Sequence, residues 1–227
     1  MSRDENKWLF VGDFLGRVGI IGYFAYGASE KLAIIAGAIL HWDQQTSDHK
    51  ELWLLSQIAI LMFLVLVVVT TIFRLKPIKS ADGIEPRISA LGGTFLLGLL
   101  ALAPPAAPLP PALTSFALVL VIVGFGLSTY VLHWLGRSFS IMAEARRLVT
   151  GGPYRIVRHP LYLTEEIAII GVILLNFSPL ALLIGAAHWA LQLRRMRNEE
   201  RVLTAAFPDY GDYAATTPRV IPSMRAA

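Results

Sequence analysis

Apolar residues run along this chain over lengths that match the thickness of a bilayer. Leu52–Phe73 and Ile88–Leu109 hold no charged residue, and Ala112–Leu135 is broken in polarity only by His133 near its end. A helix of about 20 apolar residues crosses ~30 Å of hydrocarbon, so each stretch predicts a span. Val18–Leu40 predicts another, ahead of these three, although it carries Glu30 and Lys31, and the stretch before it, from Trp8, carries Asp13 and Arg17. Charges so placed are expected to pair or to snorkel. Gly12, Gly16 and Gly19 fall at i, i+4 and i+7, a smooth face suited to close helix packing rather than a nucleotide loop.

Ile167–Leu193 is a further uncharged stretch, interrupted by Asn176-Phe177-Ser178-Pro179. Loop charges decide how to read it. His41–Glu51 holds one lysine against three acids, whereas Arg74, Lys76, Lys79 and Arg87 cluster after the second span. The third and fourth spans are joined by Pro104, Pro105, Pro108, Pro110 and Pro111, and after the fourth come Arg137, Arg146, Arg147, Arg155 and Arg158. Positive loops stay in the cytoplasm, which places the N-terminus and both basic loops there. One crossing by Ile167–Leu193 would put Arg194, Arg195, Arg197 and Arg201 outside, so the stretch reads as a hairpin turning at Asn176–Pro179. The expected fold is all-α: a polytopic bundle with four spans in residues 1–134. A helical hairpin with a small cytoplasmic loop and tail follows in 135–227, and the whole forms one structural unit.

Composition agrees. The 227 residues are 55% hydrophobic and 16% charged, mean hydropathy is +0.58, and the pI is near 9.5. Soluble domains average about a quarter charged residues, so a water-soluble enzyme is excluded. No cysteine is present, which removes disulfides, thiolate nucleophiles and cysteine metal sites. The opening MSRDENKWLFVGDF lacks the pattern of a cleaved leader. Chemistry is therefore expected where the loop from Gly136 to Pro160 and the tail from Asn198 meet the bilayer. Most of their arginines are accounted for by topology and by attraction to lipid phosphate.

The last arm asks for more. His188, Gln192, Arg195 and Glu199 are spaced i, i+4, i+7 and i+11 and share one helix face, with Arg194, Arg197 and Arg201 on the other. A mixed polar face rising into an apolar arm suits a buried site or a structural network between helices. Upstream, Gly151-Gly152-Pro153-Tyr154 reads as a loop, and Pro160 suits the first turn of a helix, with His159 at its N-cap beside free N–H groups that favour an anion. Tyr162 falls in the first turn, with Glu165 and Glu166 just above.

These segments together resemble a family. Arg158-His159-Pro160-Leu161-Tyr162, then Glu199-Glu200-Arg201-Val202-Leu203, then Phe207, Tyr210, Tyr213 and Arg219-Val220-Ile221-Pro222 look like the C-terminal half of the isoprenylcysteine carboxyl methyltransferase and phospholipid methyltransferase superfamily. Leu135–Ser140 resembles its bacterial members, which implies an inner-membrane location. The resemblance covers Leu135–Pro222. It departs at Thr164, where the family usually has glycine, so Thr164 is expected to narrow the site or add a hydroxyl contact.

The resemblance implies S-adenosylmethionine as cofactor and a lipidic or prenylated acceptor reached from the membrane. Neither a metal nor a nucleic acid is implied. The cofactor residues would be Gly152, Pro153, Tyr154, Arg158, His159, Pro160, Tyr162, Glu199 and Glu200. Arg158 and His159 would serve its carboxylate, Glu199 or Glu200 its ammonium or ribose, and Tyr154 and Tyr162 its nucleoside. His188, Gln192 and Arg195 would meet the acceptor. Arg195 and Glu199 would be the catalytic pair, Arg195 holding an acceptor carboxylate and Glu199 orienting it, or taking a proton from an amine. Carboxyl O-methylation of an isoprenylcysteine-like substrate is the leading expectation. The alternatives are phospholipid N-methylation, a sterol-reductase-like enzyme using NADPH, and a non-catalytic membrane protein of the same fold.

Overall fold

The computed structural model describes residues 3–102 and 108–222, with side chains from Gly16 to Leu100 and from Pro108 onward. It is built almost wholly of helices: α1 (Arg3–Leu40), α2 (Lys50–Ile72), α3 (Glu85–Phe95), α4 (Pro111–Leu135), α5 (Pro160–Leu175), α6 (Pro179–Ala206) and α7 (Tyr210–Thr216). Three helical stretches, Gly16–Leu40, Lys50–Ile72 and Pro111–Ser138, are long and apolar enough to cross a membrane. Apolar side chains such as Val65, Val123 and Leu183 stand exposed on α2, α4 and α6. Such faces would drive association in water, and in a bilayer they meet acyl chains.

The expected span Ile88–Leu109 takes a different form. Its first part lies in α3, and Leu96–Leu102 continues as a tighter 3-10 helix. Gly92, Gly93 and Gly98 explain the break, since glycine weakens a helix interior. Gly93 also admits α6 closely: a Cβ there would lie 2.8 Å from Arg195 Cδ. Pro104 and Pro105 of the expected linker lie outside the described residues.

The glycine face of α1 is not a packing face where it is described. A Cβ at Gly16 or Gly19 would meet nothing within 4 Å, and the side-chain positions of Gly12 and Asp13 lie outside the described residues. Glu30 and Lys31 are partnered: Lys31 Nζ donates to Gln57 Oε1 of α2 at 2.8 Å, and Tyr26 Oη donates to Glu30 at 3.3 Å.

Between Leu175 and Pro179 the chain turns, and Ser178 caps α6 by accepting the Ala181 N–H at 3.0 Å. The closest helix contact is between α4 and α5. Gly124 faces the backbone of Ala168, Gly171 faces the Ala117 carbonyl, and Ser128 Oγ donates to Thr164 Oγ1 at 2.9 Å. The polar loops are stitched by a two-residue antiparallel ladder, β1 (Lys79–Ser80) with β2 (Glu144–Ala145), which pairs Lys79 with Ala145. This is the one departure from all-α structure among the described residues. Backbone bonds also seat the tail on the loop before α5: Arg158 N donates to Pro218 O at 2.8 Å and His159 N to Arg219 O at 3.0 Å.

Candidate active site

A cavity of about 370 Å³ opens between the loop 138–149, the start of α5, the inner face of α6 and the N-terminal helices. This volume lies within the range of small-molecule sites. Its walls differ in character. Tyr154, Arg158, His159, Tyr162, Arg195 and Glu199 form a polar wall, while Phe24, Phe63, Leu64, Val67, Leu97 and Phe125 form an apolar one.

The helical spacing on α6 places its residues as expected. His188, Gln192 and Arg195 are buried and line the cavity, whereas Arg194, Arg197 and Arg201 are exposed. Arg195 is held on several sides. Its Nη1 donates to Gln192 Oε1 at 2.9 Å, its Nη2 donates to Ile141 O at 3.2 Å, and the guanidinium lies 5.1 Å from the Tyr162 ring centre. Its Nε, also buried, has no hydrogen-bond partner among the described residues. Tyr162 Oη donates to Glu199 Oε1, so these three residues form a connected group on the wall. Gln192 Nε2 also approaches Glu165 Oε2 at 3.5 Å, and His188 Nδ1 lies 3.3 Å from Glu166 Oε1. Sequence spacing did not single out Glu165 as part of the wall, nor Gly93, whose missing side chain makes room for Arg195.

Four residues expected at a cofactor do not line the cavity: Gly152, Pro153, Pro160 and Glu200. Gly152 sits at φ +57° under Trp134, whose ring would be 2.5 Å from a Cβ, so glycine is demanded by the turn itself. Pro153 continues that turn, and Pro160 is buried as the first residue of α5. Glu200 turns toward the tail instead. It accepts from His159 Nε2 at 3.1 Å and from Arg219 Nε at 2.9 Å, Arg219 Nη2 completing a bidentate pair, and Arg158 Nη1 lies 3.4 Å away. These contacts tie His159 and the tail to α6. Thr164 corrects another expectation: its hydroxyl accepts from Ser128 and donates to Leu161 O at 3.0 Å, and it bonds α5 to α4 without reaching the cavity.

Burial alone would push the Glu200 carboxyl upward. Hydrogen bonds from His159 and Arg219, with the charges of His159 and Arg158, outweigh it and bring the pKa down to about 2. Folding therefore favours the ionised form. The stabilisation is fully present above the ordinary value of 4.5 and is lost as the pH falls through about 2. Accordingly, protease resistance of the tail in detergent should hold between pH 7 and 5 and decline below about pH 4, and Glu200→Gln should remove that acid dependence. An unchanged profile in the variant would assign the acid response to other groups.

Comparison with known proteins matches this region. Residues 117–205 match the isoprenylcysteine carboxyl methyltransferase family. This stretch, about two fifths of the chain, carries the likeness to the isoprenylcysteine carboxyl methyltransferase superfamily. The matched stretch runs from α4 through α6, the helices that carry most of the polar wall. The cobalt-zinc-cadmium resistance protein CzcN of Cupriavidus metallidurans is 33% identical over 47% of this chain and 50% of its own length. The nickel-cobalt-cadmium resistance protein NccN of Alcaligenes xylosoxydans xylosoxydans is 34% identical over 36% of this chain and 38% of its own. Protein-S-isoprenylcysteine O-methyltransferase B of Arabidopsis thaliana is 31% identical over 48% of this chain and 59% of its own. The chain thus spans about half the length of the curated relatives it matches. The apolar helices and the family together make it an integral membrane protein. Among the described residues, no group of three or more histidines and acids is arranged to hold a metal.

Proposed function

We propose that the protein is an S-adenosylmethionine-dependent methyltransferase that modifies a lipidic acceptor, with carboxyl O-methylation of an isoprenylcysteine-like molecule as the leading reaction. The cavity carries this reading, because it joins a wall of charged and aromatic groups to an apolar wall contributed by membrane helices. The loop charges favour a site open to the cytoplasm, with both termini on that side and an inner-membrane setting.

The residues suit the cofactor. Among the described residues, the buried donors Arg158 Nε and Arg195 Nε have no hydrogen-bond partner; both residues line the cavity and call for a ligand rich in acceptors. Arg158 and His159 would hold its carboxylate, Glu199 its ammonium or ribose, and Tyr154 and Tyr162 would pack on the nucleoside. When bound, S-adenosylmethionine supplies a methyl group on a positively charged sulfur.

The protein's contribution is placement and exclusion of water. Arg195 is already oriented by Gln192, Ile141 O and Tyr162, so it meets an acceptor carboxylate without reorganising. Glu199, fixed by Tyr162, orients that arginine across the shared wall. Glu165 on the same wall favours a second reading, an amine acceptor as in phospholipid N-methylation, with Glu199 accepting the proton. Radiolabel transferred from S-adenosylmethionine to membrane lipid or to a farnesylcysteine analogue separates the two. Base-labile label indicates an ester, and base-stable label on lipid indicates N-methylation.

The cofactor assignment has its own test. His159→Ala should weaken binding of S-adenosylhomocysteine by about ten- to hundred-fold, the worth of one charge-assisted contact of roughly 1.5–3 kcal/mol. Titration calorimetry on detergent-solubilised protein measures this. Unchanged affinity in a folded variant would leave His159 with the structural task of holding Glu200.

A further inference from the structure

The loop after α4 brings a second buried guanidinium to the cavity. The Arg146 side chain has no solvent exposure, and its Nη2 contacts Glu144 Oε2. That carboxylate oxygen also accepts from Ser140 Oγ at 2.6 Å. Arg146 Nε and Nη1 have no hydrogen-bond partner among the described residues, and neither does Ser138 Oγ nearby in sequence. Arg146 and Ser138 both line the cavity. A buried guanidinium with most of its donors unsatisfied is costly unless something else completes it.

Topology does not account for this arginine. An arginine that follows the positive-inside rule or attracts lipid phosphate stands at the surface, as the adjacent Arg147 does. The backbone beside Arg146 is fixed by the ladder at Ala145 and by the bond from Ile78 N to Ala145 O at 2.7 Å. The same loop is continuous with the apolar wall, for its Phe139 and Ile141 pack in one cluster with Phe63 and Val67. The cofactor-type groups His159, Tyr162 and Glu199 come from other elements, α5 with its cap and α6.

We propose that Arg146, assisted by Ser138, is a second anion-binding group for the acceptor, acting beside Arg195 on the same cavity. It receives the acidic head of an amphiphile whose apolar tail lies along Phe24, Phe63, Leu64 and Val67. The assignment rests on the methyltransferase reading and refines it: the acceptor is anionic, and Arg146 selects it. Glu144 is a positioning residue, holding the guanidinium from one side and leaving the remaining donors for the ligand.

The test compares binding of N-acetyl-S-farnesylcysteine and its uncharged carboxamide to the detergent-solubilised full chain at pH 7. The wild type should prefer the acid by about ten- to hundred-fold. Arg146→Gln should lose most of that preference, Arg195 keeping the remainder, while its affinity for S-adenosylhomocysteine is unchanged. Because Arg146→Gln leaves the half-buried Glu144 without its cation, the double variant Arg146→Gln/Glu144→Gln is measured alongside and should lose the preference to the same extent. Persistence of the full preference in both variants overturns the proposal, as does a wild type that does not prefer the acid. Loss of S-adenosylhomocysteine binding with the acid preference intact would assign Arg146 to the cofactor, and that too overturns it. The acid preference is read without turnover. A wild type that prefers the acid but binds no S-adenosylhomocysteine would sink the methyltransferase reading while leaving the anion subsite in place.

Discussion

Arg195→Ala is expected to abolish methyl transfer, whereas Arg194→Ala and Arg197→Ala should each retain most of it. The three arginines lie within one helical turn, yet only Arg195 is turned inward, against Tyr162, Gln192 and the Ile141 carbonyl. Arg194 has a side chain 62% exposed, with only a distant contact of 3.9 Å to Glu85, and Arg197 is also exposed. Exposed pairs of that kind contribute about 0–1 kcal/mol, so their loss should be small. Removing Arg195 takes away a charge-assisted contact to the acceptor and leaves Glu199 and Glu165 without the cation they face. The expected loss of rate is at least about hundred-fold. Arg195→Lys should recover only part of it, because an ammonium keeps the charge but not the planar fork. Radiolabel transfer at matched expression measures the series, with S-adenosylhomocysteine binding to show that each variant is folded. Equal losses in all three alanine variants would refute the assignment of one inward face.

The second large effect is on assembly of the bundle. Gly124→Ala should destabilise the protein, while Gly126→Ala, two residues along the same helix, should leave it unchanged or slightly more stable. A Cβ at Gly124 would fall 2.3 Å from Ala168 N and 2.6 Å from Ala168 Cα, so α4 and α5 would have to separate. A Cβ at Gly126 would meet nothing within 4 Å. Replacing a mid-helix glycine by alanine ordinarily stabilises by roughly 0.5–1 kcal/mol, which is the expected sign at 126. At 124, overpacking should outweigh that gain by about 1–3 kcal/mol. Thermal melting in detergent reads both, and a shift of the same sign in the two variants would contradict the close α4–α5 contact.

The parts of this structure legible in the sequence are those where hydrophobicity alone decides. α2 and α4 follow uninterrupted apolar stretches, and the turn at Asn176–Pro179 is marked by a capping serine ahead of a proline. The inward face of α6 was readable because helical spacing brings His188, Gln192 and Arg195 together whatever surrounds them. What hydropathy could not report is backbone approach. Gly93 looks like any small residue in an apolar stretch, yet its missing side chain makes room for Arg195. Thr164 looked like an intrusion into the site because its partner, Ser128, lies on another helix. Arg146 is the clearest case: among many loop arginines, only the tertiary fold shows that its side chain is enclosed.

The bonds from Arg158 and His159 to the carbonyls of Pro218 and Arg219 also impose an order in time. Each helix before them can enter the membrane as it leaves the ribosome, but the wall that carries His159 stays unbraced until translation has passed Arg219. A nascent chain paused after α6 therefore holds an inserted bundle with an unfinished pocket. Emergence of Arg219 from the ribosome sets the earliest moment at which that pocket can be completed.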